Sequence, residues 1–292
     1  MKKFIKYIAV LASVAFVSAC NLDIMPEDSI TGSQMAQSPT GLADAVTGCY
    51  QMFFGETDDN NAWYLRQYYQ FADFSSDDVT YGHETEDELN MIFRYGERNE
   101  NLGNVKIFWL QSYKILYSAN TALSIAAQKT ELTAEDYYLM GEAWFLKAFI
   151  VHSLARLYCE PYDPDNAANQ AGVILRYDNL DADNKARATL KETYSYILDC
   201  LKNAEDNFKQ GSSSRSANKG FASLAAVYAM YTRVYLYMSD WDKCIEYAGY
   251  ALTESGGEVI SAAEFMNTNN NNGEYNDNGY FAETYSYPET IW

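Results

Sequence analysis

The stretch 133–161, TAEDYYLMGEAWFLKAFIVHSLARLYCEP, decides how the chain is read. Thr133 can cap a first turn, with Asp136 three residues on in the place of a capping box. Pro161 biases Glu160 away from helical angles, which predicts a helix ending near Cys159. Between these signals the apolar residues fall into two rows at helical spacing. Leu139, Ala143, Leu146, Ile150, Leu154 and Leu157 form one; Trp144, Ala148, Val151, Ala155 and Tyr158 form the other. A surface helix carries one such stripe, whereas two with few polar residues between them describe a helix packed on both sides. The stretch therefore predicts the central helix of an all-α layer, with no convergent polar group along it.

The flanking segments repeat the helical period. Leu42, Ala45, Val46, Cys49, Tyr50 and Phe53 share one face of a helix over 40–54, and 63–74 is aromatic and partly buried. Residues 75–104 then form a long polar connection with Tyr81, His83, Arg94, Tyr95, Arg98, Asn99 and Asn101; a connection of that length in a helical protein is more often functional than idle. A helix over 105–128 carries Trp109, Tyr113, Leu116, Asn120 and Leu123 along one side and leads by a short turn into the central helix. Residues 161–186 are an excursion rich in Asp and Asn around Val173, Ile174 and Leu175, read as an extended loop or short strand. Thr189 caps a further helix to about Phe208. Residues 211–215 read as a linker. Beyond it, 221–238 and 240–252 have the spacing of a tetratricopeptide repeat, with Tyr228, Tyr235, Cys244 and Ala251 at its large, Tyr, small and Ala positions. The Asn-rich stretch 267–278 is a low-complexity surface loop. As an EF-hand it fails, with Glu274 at the first position and Tyr285 at the twelfth.

The beginning of the chain reads as a leader. Lys2, Lys3 and Lys6 precede an apolar run over 7–17 that is too short to span a bilayer, and Val17, Ser18 and Ala19 lead to Cys20. Small residues ahead of a cysteine at this place resemble the bacterial lipobox, which implies cleavage, lipidation of Cys20 and stable anchoring by several acyl chains; a plain secretory signal is the other reading. On this view 1–19 is the signal peptide, 20–39 a lipidated tether and 40–292 the helical domain.

Acidic residues outnumber basic ones 40 to 21, and removing 1–19 leaves 18 basic residues. No segment carries the basic footprint that phosphate binding needs, so a nucleic-acid partner is excluded. The remaining cysteines, Cys49, Cys159, Cys200 and Cys244, lie among apolar neighbours at helical positions and read as buried free thiols, with disulfides open in an exported protein. Widely spaced cysteines and two histidines give no zinc site, and nothing calls for a cofactor. No nucleophile elbow, metalloprotease helix or phosphate loop is present. Asp77 and Asp78 with the acids of 84–88 could supply a glycosidase's carboxylate pair, although a solvated acidic loop explains them more simply. His152, inside the central helix, reads as a core residue with one satisfied nitrogen. The tyrosines of 75–104 are placed for a ligand, because sugar C–H faces sit on aromatic rings and hydroxyls pair with amides and Arg.

With these residues in view, the chain resembles the SusD/RagB family of nutrient-binding outer-membrane lipoproteins. The resemblance runs in order through the lipobox cysteine, Leu22-Asp23-x-x-Pro26-Glu27-Asp28, Trp109-x3-Tyr113-x6-Asn120, the run 142–148, Tyr194-x2-Ile197-x-Asp199-x4-Ala204, and 226–252. Lys147 stands where the family favours Arg, and Cys159 where it favours Gly. The resemblance implies an all-α fold of tetratricopeptide-like helix pairs in a superhelical layer with long irregular loops. It also implies exposure at the outer membrane and a partnership with a SusC-like TonB-dependent transporter. The expected activity is capture of a polysaccharide, oligosaccharide or other large nutrient without catalysis. Members are considerably longer, so a chain ending in Glu289-Thr-Ile-Trp292 is expected to lack its C-terminal side. Within the loop that follows Asp77 and Asp78, the resemblance favours Tyr81, Arg94, Tyr95, Asn99 and Asn101 as ligand contacts. A tetratricopeptide-like surface scaffold for protein or peptide is the alternative, and a secreted helical glycosidase the third reading.

Overall fold

The computed structural model describes residues 32–54, 64–80, 82, 88–95, 103–179 and 184–257. Cys20, Tyr81, His83, Asn99, Asn101, the acids of 84–87 and the Asn-rich stretch lie outside the described residues. Within them the chain is helical: α1 (Gly32–Gln37), α2 (Gly41–Gln51) running into a 3-10 turn (Met52–Phe54), α3 (Tyr64–Asp73), α4 (Glu88–Phe93), α5 (Gly103–Ala127), α6 (Ala134–Tyr158), α7 (Leu190–Gln210), α8 (Leu224–Tyr237) and α9 (Trp241–Ser255). No strand forms among the described residues; the excursion before α7 contributes a single antiparallel bridge, Ala171 to Thr189.

The central helix is α6, and it is capped as its sequence predicts. Thr133 Oγ1 accepts from the Asp136 N–H at 3.2 Å while Asp136 Oδ2 accepts from the Thr133 N–H at 2.9 Å. Thr189 and Glu192 close the same reciprocal box at the start of α7. Consecutive helices pack antiparallel as neighbours, α5 on α6, α6 on α7, α7 on α8 and α8 on α9, which is the succession of tetratricopeptide-like pairs. Leu139, Ala143, Leu146, Ile150 and Leu154 are all buried, as are Ala148, Val151 and Ala155; Leu157 alone of the first row lies at the exposed rim. Gly141 lets α6 and α7 meet, since a Cβ there would stand 2.9 Å from the Phe208 ring.

Tyrosines fill the last pair. Tyr231 stacks on Tyr247 at 4.3 Å between ring centroids, and Tyr235 and Tyr228 pack against the same ring from above and to the side. Half of the tetratricopeptide positions named from sequence are core: Tyr228 and Ala251 are buried, while Tyr235 and Cys244 are half-buried.

Four expectations need correction. The tether reading of 20–39 misses α1, whose Met35 and Ala36 pack on the core. The polar connection 75–104 is interrupted by α4, which buries Leu89, Asn90 and Ile92; two apolar side chains in one turn were too few to show as a period. Residues 211–215 are not a bare linker, because Arg215 turns inward from a 3-10 turn (Ser214–Ala217). And the two apolar rows are not the whole of α6: Glu142, Lys147, His152 and Ser153 are also buried within it, each facing different partners without converging.

Two of the buried polar groups on α6, Glu142 and Lys147, tie it to other parts of the layer. Arg215 grips Glu142 with two hydrogen bonds, Nε to Oε1 at 3.1 Å and Nη2 to Oε2 at 2.9 Å, while Nη1 donates to Thr47 Oγ1 of α2 at 2.9 Å. Its guanidinium lies 3.7 Å from the centre of the Phe221 ring. Burial pushes the Glu142 carboxyl up to about 7 against the pull of Arg215. Lys147 stretches between the rings of Trp144 and Tyr196, at 4.1 and 5.6 Å, and donates to the Tyr177 carbonyl at 3.3 Å; burial lowers its pKa. His152 packs edge-on against Tyr237 at 5.1 Å, its Nε2 has no partner among the described residues, and burial drops its pKa to about 3. It is a neutral core histidine, as its place in the helix suggests.

Candidate functional site

The nominated residues that can be placed, Arg94 and Tyr95, stand at the C-terminal end of α4. This helix is six residues long and amphipathic: Leu89 and Ile92 face the core, and the chain then turns outward. The turn is made by Tyr95 itself, at φ 55°, in the left-handed region where a helix more often ends on glycine. Its N–H is held by the Ile92 carbonyl at 3.1 Å, and the Arg94 N–H by the Asn90 carbonyl at 3.0 Å.

A side chain in this conformation costs on the order of 1 kcal/mol relative to glycine, and what it supplies is a fixed aromatic ring. Tyr95 Oη donates to the Ser75 carbonyl at 2.7 Å, while the ring stays 64% exposed. That bond pins together the two ends of the segment 75–95. On the aspartate side the backbone is ordered by Ser76, whose hydroxyl donates to the Asp73 carbonyl at 2.8 Å and accepts from the Asp78 N–H at 3.2 Å. The product is a small exposed platform on which the Tyr95 ring, held at its hydroxyl, stands beside the Arg94 guanidinium. Tyr81, Asn99 and Asn101 lie outside the described residues.

A second exposed tyrosine was missed by sequence reasoning. Tyr177 is 62% exposed and meets Tyr196 edge-on at 5.2 Å. It belongs to a length of chain, 172–178, that is strapped across α5, α6 and α7 by side chains. Tyr113 Oη donates to the Ile174 carbonyl at 2.9 Å and accepts from the Ile174 N–H at 3.1 Å. Asn120 Nδ2 donates to the Asp178 carbonyl at 3.1 Å, and Tyr196 Oη donates to the Arg176 carbonyl at 2.6 Å. Gly172 allows the close approach at the start of the strap, where a Cβ would meet Thr193 Oγ1 at 2.1 Å. The signal for this arrangement was present in the spacing of Tyr113, Asn120 and Lys147, polar residues on otherwise apolar helices, but their common target could not be seen without the fold.

Among the described residues no group of His, Cys, Asp and Glu is arranged to hold a metal ion. The four described cysteines are free thiols; Cys49 and Cys200 are buried with pKa values pushed up to about 12, whereas Cys159 and Cys244 are half-buried rather than fully buried as expected. No described helix is long and apolar enough to cross a membrane.

Comparison with known proteins agrees with this fold. A SusD-like family profile described as "Starch-binding associating with outer membrane" matches residues 22–236. "SusD-like protein P2" of Formosa agariphila is 27% identical over 176 residues, which cover 60% of this chain and 32% of that protein. Among solved structures, a "putative sugar binding protein" of Bacteroides vulgatus superposes with a TM-score of 0.67 at 21% identity, covering 79% of this chain and 50% of the other. NanU of B. fragilis superposes at 0.62 with 16% identity, covering 86% and 49%. The chain thus spans about a third of the curated relative and about half of these solved ones. With the profile matched through the helical layer from ahead of α1 to the end of α8, the chain belongs to the SusD-like family.

Proposed function

We propose that the chain acts at the bacterial cell surface as a glycan-binding module, held to the outer membrane by lipid on Cys20, which passes its ligand to a SusC-like TonB-dependent transporter. The observation that carries this reading is the family match over 22–236 with its starch-binding, outer-membrane description. The platform at Arg94 and Tyr95 fits the same chemistry. A ring held by its hydroxyl offers its face to sugar C–H groups, and the adjoining guanidinium offers donors to hydroxyls. The proposal also keeps Tyr81, Asn99 and Asn101 as ligand contacts.

Binding without turnover is the expected mode. Glu142 and His152, whose pKa values are shifted to about 7 and about 3, are buried within the helical layer and out of reach of a polymer. Affinity electrophoresis through gels containing starch and other polysaccharides tests the reading, with reducing-sugar release followed in parallel. Retardation by a polysaccharide without release of reducing ends supports it. Release of sugar would make the chain a glycosidase, and retention of peptides alone would make it a tetratricopeptide-like scaffold. Co-isolation of a TonB-dependent transporter with the full-length lipoprotein tests the delivery step; its absence from the membrane complex would remove that step.

A further inference from the structure

An open recess of about 430 Å³ lies at the turn between α8 and α9, away from the platform at Tyr95. Its volume is in the range of small-ligand pockets, roughly 300–1,000 Å³. Tyr162, from the loop after α6, forms one wall, and Met238, Ser239, Asp240, Trp241 and Asp242 form the other. We propose that this recess is a second carbohydrate subsite, which takes a neutral pyranose unit between the Tyr162 and Trp241 rings.

Three observations point to a sugar. Both aromatic walls are available: Trp241 is 59% exposed despite its size, and Tyr162 is half-buried and braced from behind by Tyr194, with ring centroids 4.7 Å apart. A braced ring and an exposed indole bordering one recess are suited to the C–H faces of a pyranose. The polar groups at the rim are acceptors and hydroxyls, two carboxylates and Ser239, which match sugar hydroxyls. No lining side chain is basic, so a uronate or sulfated sugar would meet only like charge.

Ser239 adds a backbone argument. It sits at φ 59°, in the left-handed region, where α8 ends and glycine would be the unstrained residue. Strained non-glycine residues cluster at ligand sites, and the hydroxyl retained here borders the recess. Asp240 is meanwhile fixed by its own structural task, since its Oδ1 accepts from the Lys243 N–H at 3.2 Å as the cap of α9. The turn is therefore rigid before any ligand arrives.

The inference rests on the glycan-binding reading for its ligand class, and the test keeps the two separable. The full chain is labelled with 5-fluorotryptophan, and the Trp241 resonance is identified by its loss in Trp241→Phe. Maltose, cellobiose and galacturonate are then titrated while fluorine NMR is recorded. The expected result is movement of the Trp241 signal with a neutral sugar and none with galacturonate. Tyr162→Ala should weaken the response about tenfold, the scale of one lost stacking contact, and Ser239→Gly, which eases the backbone and removes only the hydroxyl, should weaken it a few-fold. A Trp241 signal that no neutral sugar moves overturns the subsite, whether or not the chain is retarded by polysaccharide gels; retardation in that case leaves the glycan-binding reading standing. Movement without any retardation keeps the subsite and removes polymer capture. An equal response to galacturonate overturns the argument from the carboxylates.

Discussion

The buried polar groups of α6 and the exposed polar groups around Tyr95 are made of similar residues and behave as opposites. Glu142 is fully buried and gripped by a guanidinium, which is itself held by Thr47 and stacked on Phe221. Tyr95 is largely exposed, and its Oη donates to the Ser75 carbonyl. The first kind of polar group is spent on joining helices; the second stays largely exposed to solvent. The difference teaches that in this layer polarity alone does not mark a binding residue. What distinguishes one is an anchored side chain that still meets solvent.

The largest effect expected from breaking this contrast is at Glu142. Glu142→Ala leaves Arg215 without its partner in a mostly buried site and should destabilise by roughly 3–5 kcal/mol, because an uncompensated charge remains behind. Chemical denaturation read by circular dichroism checks it, and a loss near zero would mean that the pair is dispensable to the layer. Next come Leu146→Ala and Ile150→Ala, each a large-to-small change at a fully buried position, expected to cost about 2–5 kcal/mol. A negligible loss in both would show that α6 is not the centre of the fold.

Acid sharpens the contrast further, since His152 and Glu142 respond with opposite sign. His152 is held neutral with its pKa down at about 3, so between there and the ordinary value of 6.5 the unfolded chain binds more protons and stability falls as the pH drops. Glu142, raised to about 7, binds more protons in the folded chain, so its contribution declines as the pH rises from 4.5 towards 7. His152→Gln should flatten the acid limb of a stability profile and leave the opposing slope in place; an unchanged acid limb would refute the assignment. The smallest expected effect is at the platform. Tyr95→Phe removes one exposed hydrogen bond and should cost no more than about 1 kcal/mol, while Tyr95→Ala should reduce retardation in polysaccharide gels without unfolding the chain. A large loss of stability in Tyr95→Phe would place Tyr95 with the joining residues.

Much of this was legible in the residues themselves. Caps at Thr133 and Thr189 and a sustained apolar period located α6 and α7 almost to the residue, because both signals are local. Tetratricopeptide spacing located the last pair for the same reason. What sequence could not show was pairing at a distance. Arg215 looked like linker because its partners lie 73 and 168 residues away. Tyr113 and Asn120 looked like one side of a helix because the strap they hold is far along the chain. Of the nominated ligand contacts, Arg94 and Tyr95 come together at an exposed turn, and the left-handed backbone of Tyr95 left no trace in its residue type. Tyr162 and Trp241 were never considered together, since one sits in a loop and the other opens a helix.

The contact between Arg215 and α2 also bears on how the molecule comes apart. Helical repeats that touch only their neighbours behave almost as one-dimensional arrays, free to fray from either end. Here Thr47 and Tyr50 of α2 reach forward to Arg215 and to the Ala222 N–H, the latter bond at 3.0 Å. The first core helix is thus fastened to the joint ahead of α8, whereas α9 packs on α8 alone among the described helices. The two ends of the layer should therefore open unequally, with limited proteolysis cutting at α9 before it reaches α2.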